Sequence, residues 1–181
     1  SGYFGREYGT AHHMQYTNQT IAANAVLIDG EGQPYRDVHA IGRIVDWGEK
    51  NGVSHVRADL TAAYPMLTRY FRTFRLAGRT ITVTDELEAE VPVSVTYNLH
   101  AVAKPELAGE CAAISREVDG HRVTLTIRPL IGDLCDLSCT DRFAVDLNAG
   151  VPEEYRVTMP VQYHLSWRTA KKCAHTIVVR Y

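Results

Sequence analysis

Arg79-Thr-Ile-Thr-Val-Thr-Asp85 and its echo, His121-Arg-Val-Thr-Leu-Thr-Ile-Arg128, decide the fold class of this chain. In the first, Ile81 and Val83 fall on one side and Thr80, Thr82 and Thr84 on the other. In the second, Val123, Leu125 and Ile127 share a side. A period of two with β-branched residues on both sides is that of a half-buried antiparallel strand. Turn signals separate such runs: Asp29-Gly30-Glu31-Gly32, Asn51-Gly52, Ala77-Gly78 and Asp119-Gly120, the last two tight enough to close hairpins.

Working outward, the same reading predicts strands over 20–29, 38–47, 53–60, 70–76, 79–85, 91–100, 121–130, 161–169 and 175–181. Helical periodicity is scarce. The stretch from Asp59 to Leu67 is interrupted by Pro65 and reads as a loop or a single helical turn. Many strands with short polar turns and no helices between them predict an all-β fold, an antiparallel two-sheet β-sandwich. No repeat, low-complexity tract or Pro/Gly/Ser-rich linker divides the chain, so residues 1–181 are read as one domain.

Composition bounds the rest. The chain has 181 residues, 22% charged and 45% hydrophobic, enough for a self-sufficient core. Lys plus Arg is 19 and Asp plus Glu is 21, a net charge of −2. No broad basic field is present, so neither nucleic acid nor an anionic membrane is expected as a partner. The chain opens on Ser1-Gly2 without an initiator Met, and we expect a piece excised from something longer. Four cysteines, Cys111, Cys135, Cys139 and Cys173, leave the disulfide state open. Cys135-x3-Cys139 with Cys173-Ala174-His175 is a poor match to zinc-ligand spacing, and no metal or other cofactor is expected. A Ser-His-Asp arrangement cannot be read from sequence alone, and no His-Glu-x-x-His pair, phosphate loop or dinucleotide fingerprint is present.

Longer stretches carry a resemblance. Ala11-His-His-Met-Gln-Tyr-Thr-Asn-Gln-Thr-Ile-Ala-Ala-Asn-Ala-Val-Leu-Ile-Asp-Gly-Glu-Gly-Gln33 is followed by Gly42-Arg43-Ile44, Val56-Arg-Ala-Asp-Leu-Thr-Ala-Ala-Tyr64 and Arg69-Tyr70-Phe71-Arg72. Tyr97-Asn98-Leu99-His100 and Tyr163-His-Leu-Ser-Trp-Arg168 complete the set. Together they resemble the heparinase II/III family of polysaccharide lyases. The resemblance implies the C-terminal β-sandwich of such an enzyme, partnered by an N-terminal α/α toroid. It also implies an acidic polysaccharide or oligosaccharide as ligand, cut by β-elimination in a cleft between the two domains, and a periplasmic or secreted location. The family's His-x-His-x-Asp type segment is not found here, and Ala23 precedes Asn24 where the resemblance calls for His. No catalytic residue is therefore assigned to this chain.

The candidate substrate contacts are His12, His13, Tyr16 and Gln19, the densest polar and aromatic cluster in the sequence. Placed on a strand, adjacent His12 and His13 would point to opposite faces, or both would be solvated in a loop. Asn24, in an apolar run, is read as a structural tie. Gly30 and Gly32 are read as turn residues. Strand parity places Arg69, Arg75 and Arg79 on one face with Phe71, and Arg72 on the other with Tyr70 and Phe74, which predicts surface ion pairs or solvated edges more than a single basic strip. A stand-alone carbohydrate-binding or adhesion sandwich without catalysis is the alternative function.

Overall fold

The computed structural model describes residues 8–129, 134–169 and 177–180. Twelve strands are present: β1 Val26–Ile28, β2 Arg43–Lys50, β3 Val53–Asp59, β4 Arg69–Ala77, β5 Thr80–Glu88, β6 Val95–Ala101, β7 Pro105–Ala108, β8 Cys111–Val118, β9 His121–Ile127, β10 Leu134–Thr140, β11 Tyr163–Thr169 and β12 Ile177–Arg180. They form a four-stranded sheet in the order β1-β6-β11-β10, a five-stranded sheet β12-β5-β4-β3-β2 and a three-stranded sheet β7-β8-β9. Every pairing between these strands is antiparallel. The protein is an all-β sandwich, with the four- and five-stranded sheets as its layers and the small third sheet as an addition to the two expected.

Turn chemistry sets the registers. Lys50 pairs with Val53 and Val118 with His121, so each hairpin closes through two residues. Those residues, Asn51-Gly52 and Asp119-Gly120, all take positive φ, between 51° and 74°. A two-residue turn with both centres in that region matches the strand twist, and Asn-Gly and Asp-Gly adopt it at least cost.

Alternation then separates the faces. Val95 and Tyr97 of β6, Leu165 and Trp167 of β11, and Val26 and Ile28 of β1 meet Tyr70 of β4 and Leu87 of β5 in one buried cluster. The Tyr64 hydroxyl donates to the Val26 carbonyl at 3.0 Å, and the Trp167 indole N–H donates to the Glu110 carbonyl at 2.8 Å. The second bond ties the β7–β8 turn to the main sandwich.

One ion pair lies inside this core. Arg72 and Asp85 are register partners on β4 and β5. Arg72 Nε and Nη2 donate to the two Asp85 carboxylate oxygens at 2.7 and 2.9 Å, and Asp85 is fully buried. Arg72 Nη1 also donates to the Asn24 carbonyl at 3.3 Å, linking the five-stranded sheet to the segment before β1.

Several expectations are corrected. The run 20–29 is a strand only over Val26–Ile28, and Thr20–Ala22 makes a 3-10 turn instead. Gly32 is required by closeness, not by positive φ: a Cβ there would collide with the Thr20 side chain. Strands β7, β8 and β10 were not anticipated. The segment Asp59 to Leu67 contains the single 3-10 turn Thr61–Ala63, as expected. Cys111 and Cys139 are free thiols; Cys173, His175 and the Cys135 side chain lie outside the described residues, so that zinc reading has no counterpart here. No helix among the described residues is long and apolar enough to cross a membrane.

Candidate functional site

The outer face of the four-stranded sheet carries the densest group of titratable and aromatic side chains. Register pairs His164 of β11 with His100 of β6 on one side and Thr140 of β10 on the other. Because Leu165, Trp167 and Tyr97 face the core, the alternating His164, Ser166, Asn98 and His100 face outward. The two imidazoles stand perpendicular, with ring centroids 4.8 Å apart.

Onto this face packs a short π-type helix, His13–Thr17. His12 and Tyr16 are four residues apart and therefore share a side of the turn. Their rings lie 5.0 Å apart, and Phe143 packs edgewise against both, at 4.9 and 5.4 Å. The Tyr16 hydroxyl lies 3.0 Å from His164 Nδ1. With that hydroxyl donating, the proton of the neutral His164 ring resides on Nε2. This nitrogen and Asn98 Nδ2 are both buried and make no hydrogen bond among the described residues. His12 Nδ1–H donates to the Val145 carbonyl at 2.7 Å, fixing its ring.

Beside these rings an open groove of about 400 Å³ runs along the end of the sheet, lined by Ala22, Ala23, Asn24, His100, Ala101 and Gln162 among others. Asn24 Oδ1 accepts from the His100 main-chain N–H at 2.9 Å and lies 3.1 Å from its Nδ1. Asn24 is thus the structural tie expected of it, and what it ties is the histidine in the groove. Ala23, where the resemblance calls for His, is part of the lining and offers only a methyl group.

Burial tunes these groups. Desolvation, then the neighbouring His164 ring, pushes the His100 pKa down from 6.5 to about 4. Burial also lowers His164. It pushes the Tyr16 phenol up to about 12. At neutral pH the cluster is therefore two neutral imidazoles and a protonated phenol. Tyr16 serves as a donor here, not as a phenolate base. Among the described residues the lining contains no Arg or Lys.

A pH effect on stability follows. His100 is depressed in the folded chain, so between about pH 4 and 6.5 the unfolded chain binds more protons and stability falls as pH falls through that window. His164 acts in the same direction. Discounting for the partial exposure of His100, the loss is on the order of 1–2 kcal/mol. Urea midpoints measured across the window check this, and His100→Gln is expected to flatten the dependence.

Of the residues singled out in the sequence, His12 and Tyr16 join this cluster. Both adjacent histidines are buried on helical backbone, which replaces the strand parity and solvated-loop readings. His13 turns away: Gly9 N–H donates to its Nδ1 at 3.1 Å and the Asn18 side-chain amide sits 3.1 Å from Nε2. Gln19 donates to the Met14 carbonyl at 3.0 Å and borders a separate shallow groove. His100 and His164, which the sequence presents as scattered strand histidines with a structural or exposed role, belong to the cluster, and so does Phe143, which nothing in the sequence marks. The signal for the first two was available in alternation, since Asn98 and His100 share a parity opposite to Tyr97, as His164 and Ser166 do opposite to Trp167. Among the described residues no three His, Cys, Asp or Glu side chains converge in a metal-binding arrangement.

No protein-family model and no curated protein matches the sequence. The fold does have close counterparts among solved structures. The crystal structure of the heparan sulfate lyase HepC from Pedobacter heparinus superposes with a TM-score of 0.67 at 15% identity, covering 99% of this chain and 26% of that one. A heparinase III crystal structure gives 0.68 at 10% identity, covering 96% and 25%. A heparinase III gene product gives 0.63 at 11%, covering 99% and 26%. The chain thus spans about a quarter of the length of these proteins and shares the fold of that part of them.

Proposed function

We propose that this chain is the β-sandwich domain of a heparinase-like polysaccharide lyase, acting as a single unit that forms one wall of a substrate cleft for acidic glycans. The observation that carries the reading is the groove at His100. It presents a neutral imidazole held by Asn24 and backed by His164, Tyr16 and His12, on the fold shared with heparinase III structures.

Its chemistry is that of a partial site. β-Elimination from a uronic acid needs a proton taken from C5, a proton delivered to the leaving O4, and neutralisation of the adjacent carboxylate. A neutral imidazole accepts a hydrogen bond or a proton, and Tyr16 and His12 hold the neighbouring ring in place. The cation that the carboxylate requires has no counterpart among the described residues of the groove lining. That requirement assigns charge neutralisation to an α/α toroid, which also carries the rest of the acid and base machinery.

The experiment is a titration of the isotope-labelled chain with a uronate oligosaccharide, followed residue by residue in NMR spectra. Shifts are expected at Ala23, Asn24, His100 and Gln162, with smaller ones relayed to His164 and Tyr16. Saturable binding that leaves these signals unmoved overturns the assignment of this groove.

A further inference from the structure

The opposite outer face of the molecule, that of the five-stranded sheet, carries a second groove of about 510 Å³ that the lyase reading does not use. Register builds it in rows. Asp46, Arg57, Thr73 and Thr84 form one row across β2 to β5, and Gly48, His55, Arg75 and Thr82 the next. Lys50, Val53 and Ala77 follow. Alternation turns these side chains away from the core, and Gly48 leaves the floor beside His55 open.

The charges on this face divide into two groups. Arg57 is fixed by a two-pronged pair with Glu86, at 2.7 and 3.1 Å, and by a bond to the Thr73 hydroxyl. His55 Nε2 lies 3.0 Å from Asp46 Oδ2. Both acidic groups near the groove are therefore already engaged. Arg75, directly opposite His55, and Lys50, one row on, are exposed and meet no carboxylate among the described residues. Two cations without a carboxylate partner among the described residues thus flank a groove that the Thr73 hydroxyl also lines.

We infer that this groove binds anionic polysaccharide, with Arg75 and Lys50 taking sulfate or carboxylate groups and Thr73 bonding a sugar hydroxyl. Guanidinium geometry suits both anions. The surface favours glycan over nucleic acid because its rings are already engaged: the His55 imidazole lies 3.0 Å from Asp46 Oδ2, and Phe71, on the same face, is covered by Arg57 at 4.5 Å and Arg69 at 5.3 Å from its centroid. A groove on the face opposite His100 would hold a polymer at a second point, retaining substrate without taking part in its cleavage. It does not depend on the chain being a lyase domain.

The test is equilibrium binding of the 181-residue chain at low ionic strength to dextran sulfate and to polygalacturonate, with neutral dextran and single-stranded DNA beside them. Replacing both cations (Lys50→Ala with Arg75→Ala) is expected to weaken sulfate- or carboxylate-glycan binding by roughly tenfold to a hundredfold, the range for losing hydrogen bonds to charged groups. Removing the same net charge elsewhere, with Arg116→Ala and Arg122→Ala on the third sheet, is expected to leave binding unchanged. All four residues are exposed, and circular dichroism verifies folding. Equal losses in the two double variants, no loss in either, or DNA binding as tight and as dependent on Arg75 overturns the inference. None of these outcomes bears on the His100 groove, whose NMR signals report separately.

Discussion

Replacing Arg72 by Met is expected to destabilise the fold by about 3–5 kcal/mol, because it leaves the Asp85 carboxylate buried without its partner. For a chain of this size that corresponds to a fall in melting temperature of roughly 10 °C or more. Asp85→Leu is expected to cost a similar amount by stranding the guanidinium. The double variant, Arg72→Met with Asp85→Leu, should recover much of the loss, since a well-packed apolar pair avoids the desolvation of both ions. Thermal melts and urea titrations of the three variants decide this. If the double variant is as unstable as the sum of the singles, the two side chains contribute independently and the cost of each single is not that of a stranded partner charge, contrary to this account. Arg72 also holds the Asn24 carbonyl. The single variant should therefore disturb the His100 groove, visible as altered His100 resonances in whatever fraction remains folded.

The strands written in Thr, aromatic and β-branched residues are legible from sequence because their alternation is strong: β4, β5 and β9 end within about three residues of where parity puts them. Strand β8, Cys-Ala-Ala-Ile-Ser-Arg-Glu-Val, was not, since Ala and Glu are weak strand formers and packing had to override them. In β10 a register shift between Cys135 and Ser138 breaks the period of two. The expected ion pairs on the outer face are present at Arg69, which bonds Glu88 and Glu86.

The candidate site was half visible. His12 and Tyr16 stood out as a local cluster, yet the short π-type turn that puts them on one side has no apolar periodicity to announce it. His100 and His164 are far apart in the chain and meet only through the β6–β11 register, which depends on the pairing of whole strands. Ala23 lies where the resemblance calls for His, and its position in the groove lining gives that departure a physical meaning: it contributes only a methyl group beside His100.

The 181-residue chain alone is expected to give no cleavage of acidic polysaccharide. Among its described residues the groove holds a neutral imidazole but no cation to neutralise a uronate carboxylate, so the C5 proton stays too weakly acidic to be transferred at a useful rate. Joined in one polypeptide to an α/α toroid that supplies that cation, the same chain is expected to support β-elimination. In that setting His100→Ala is expected to lower kcat/KM by roughly a hundredfold or more, as for loss of a group in proton-transfer reach.

The most direct measurement is the ultraviolet absorbance of unsaturated uronate ends, followed for heparan-like, chondroitin-like and alginate-like substrates with the chain alone and with the toroid-linked protein. We predict no signal from the chain alone and a steady rise from the linked protein on at least one substrate. Robust product from the chain alone would contradict the division of labour between the two domains. Glycan binding by the linked protein with no product on any substrate would contradict the lyase assignment itself, and leave a binding sandwich in its place.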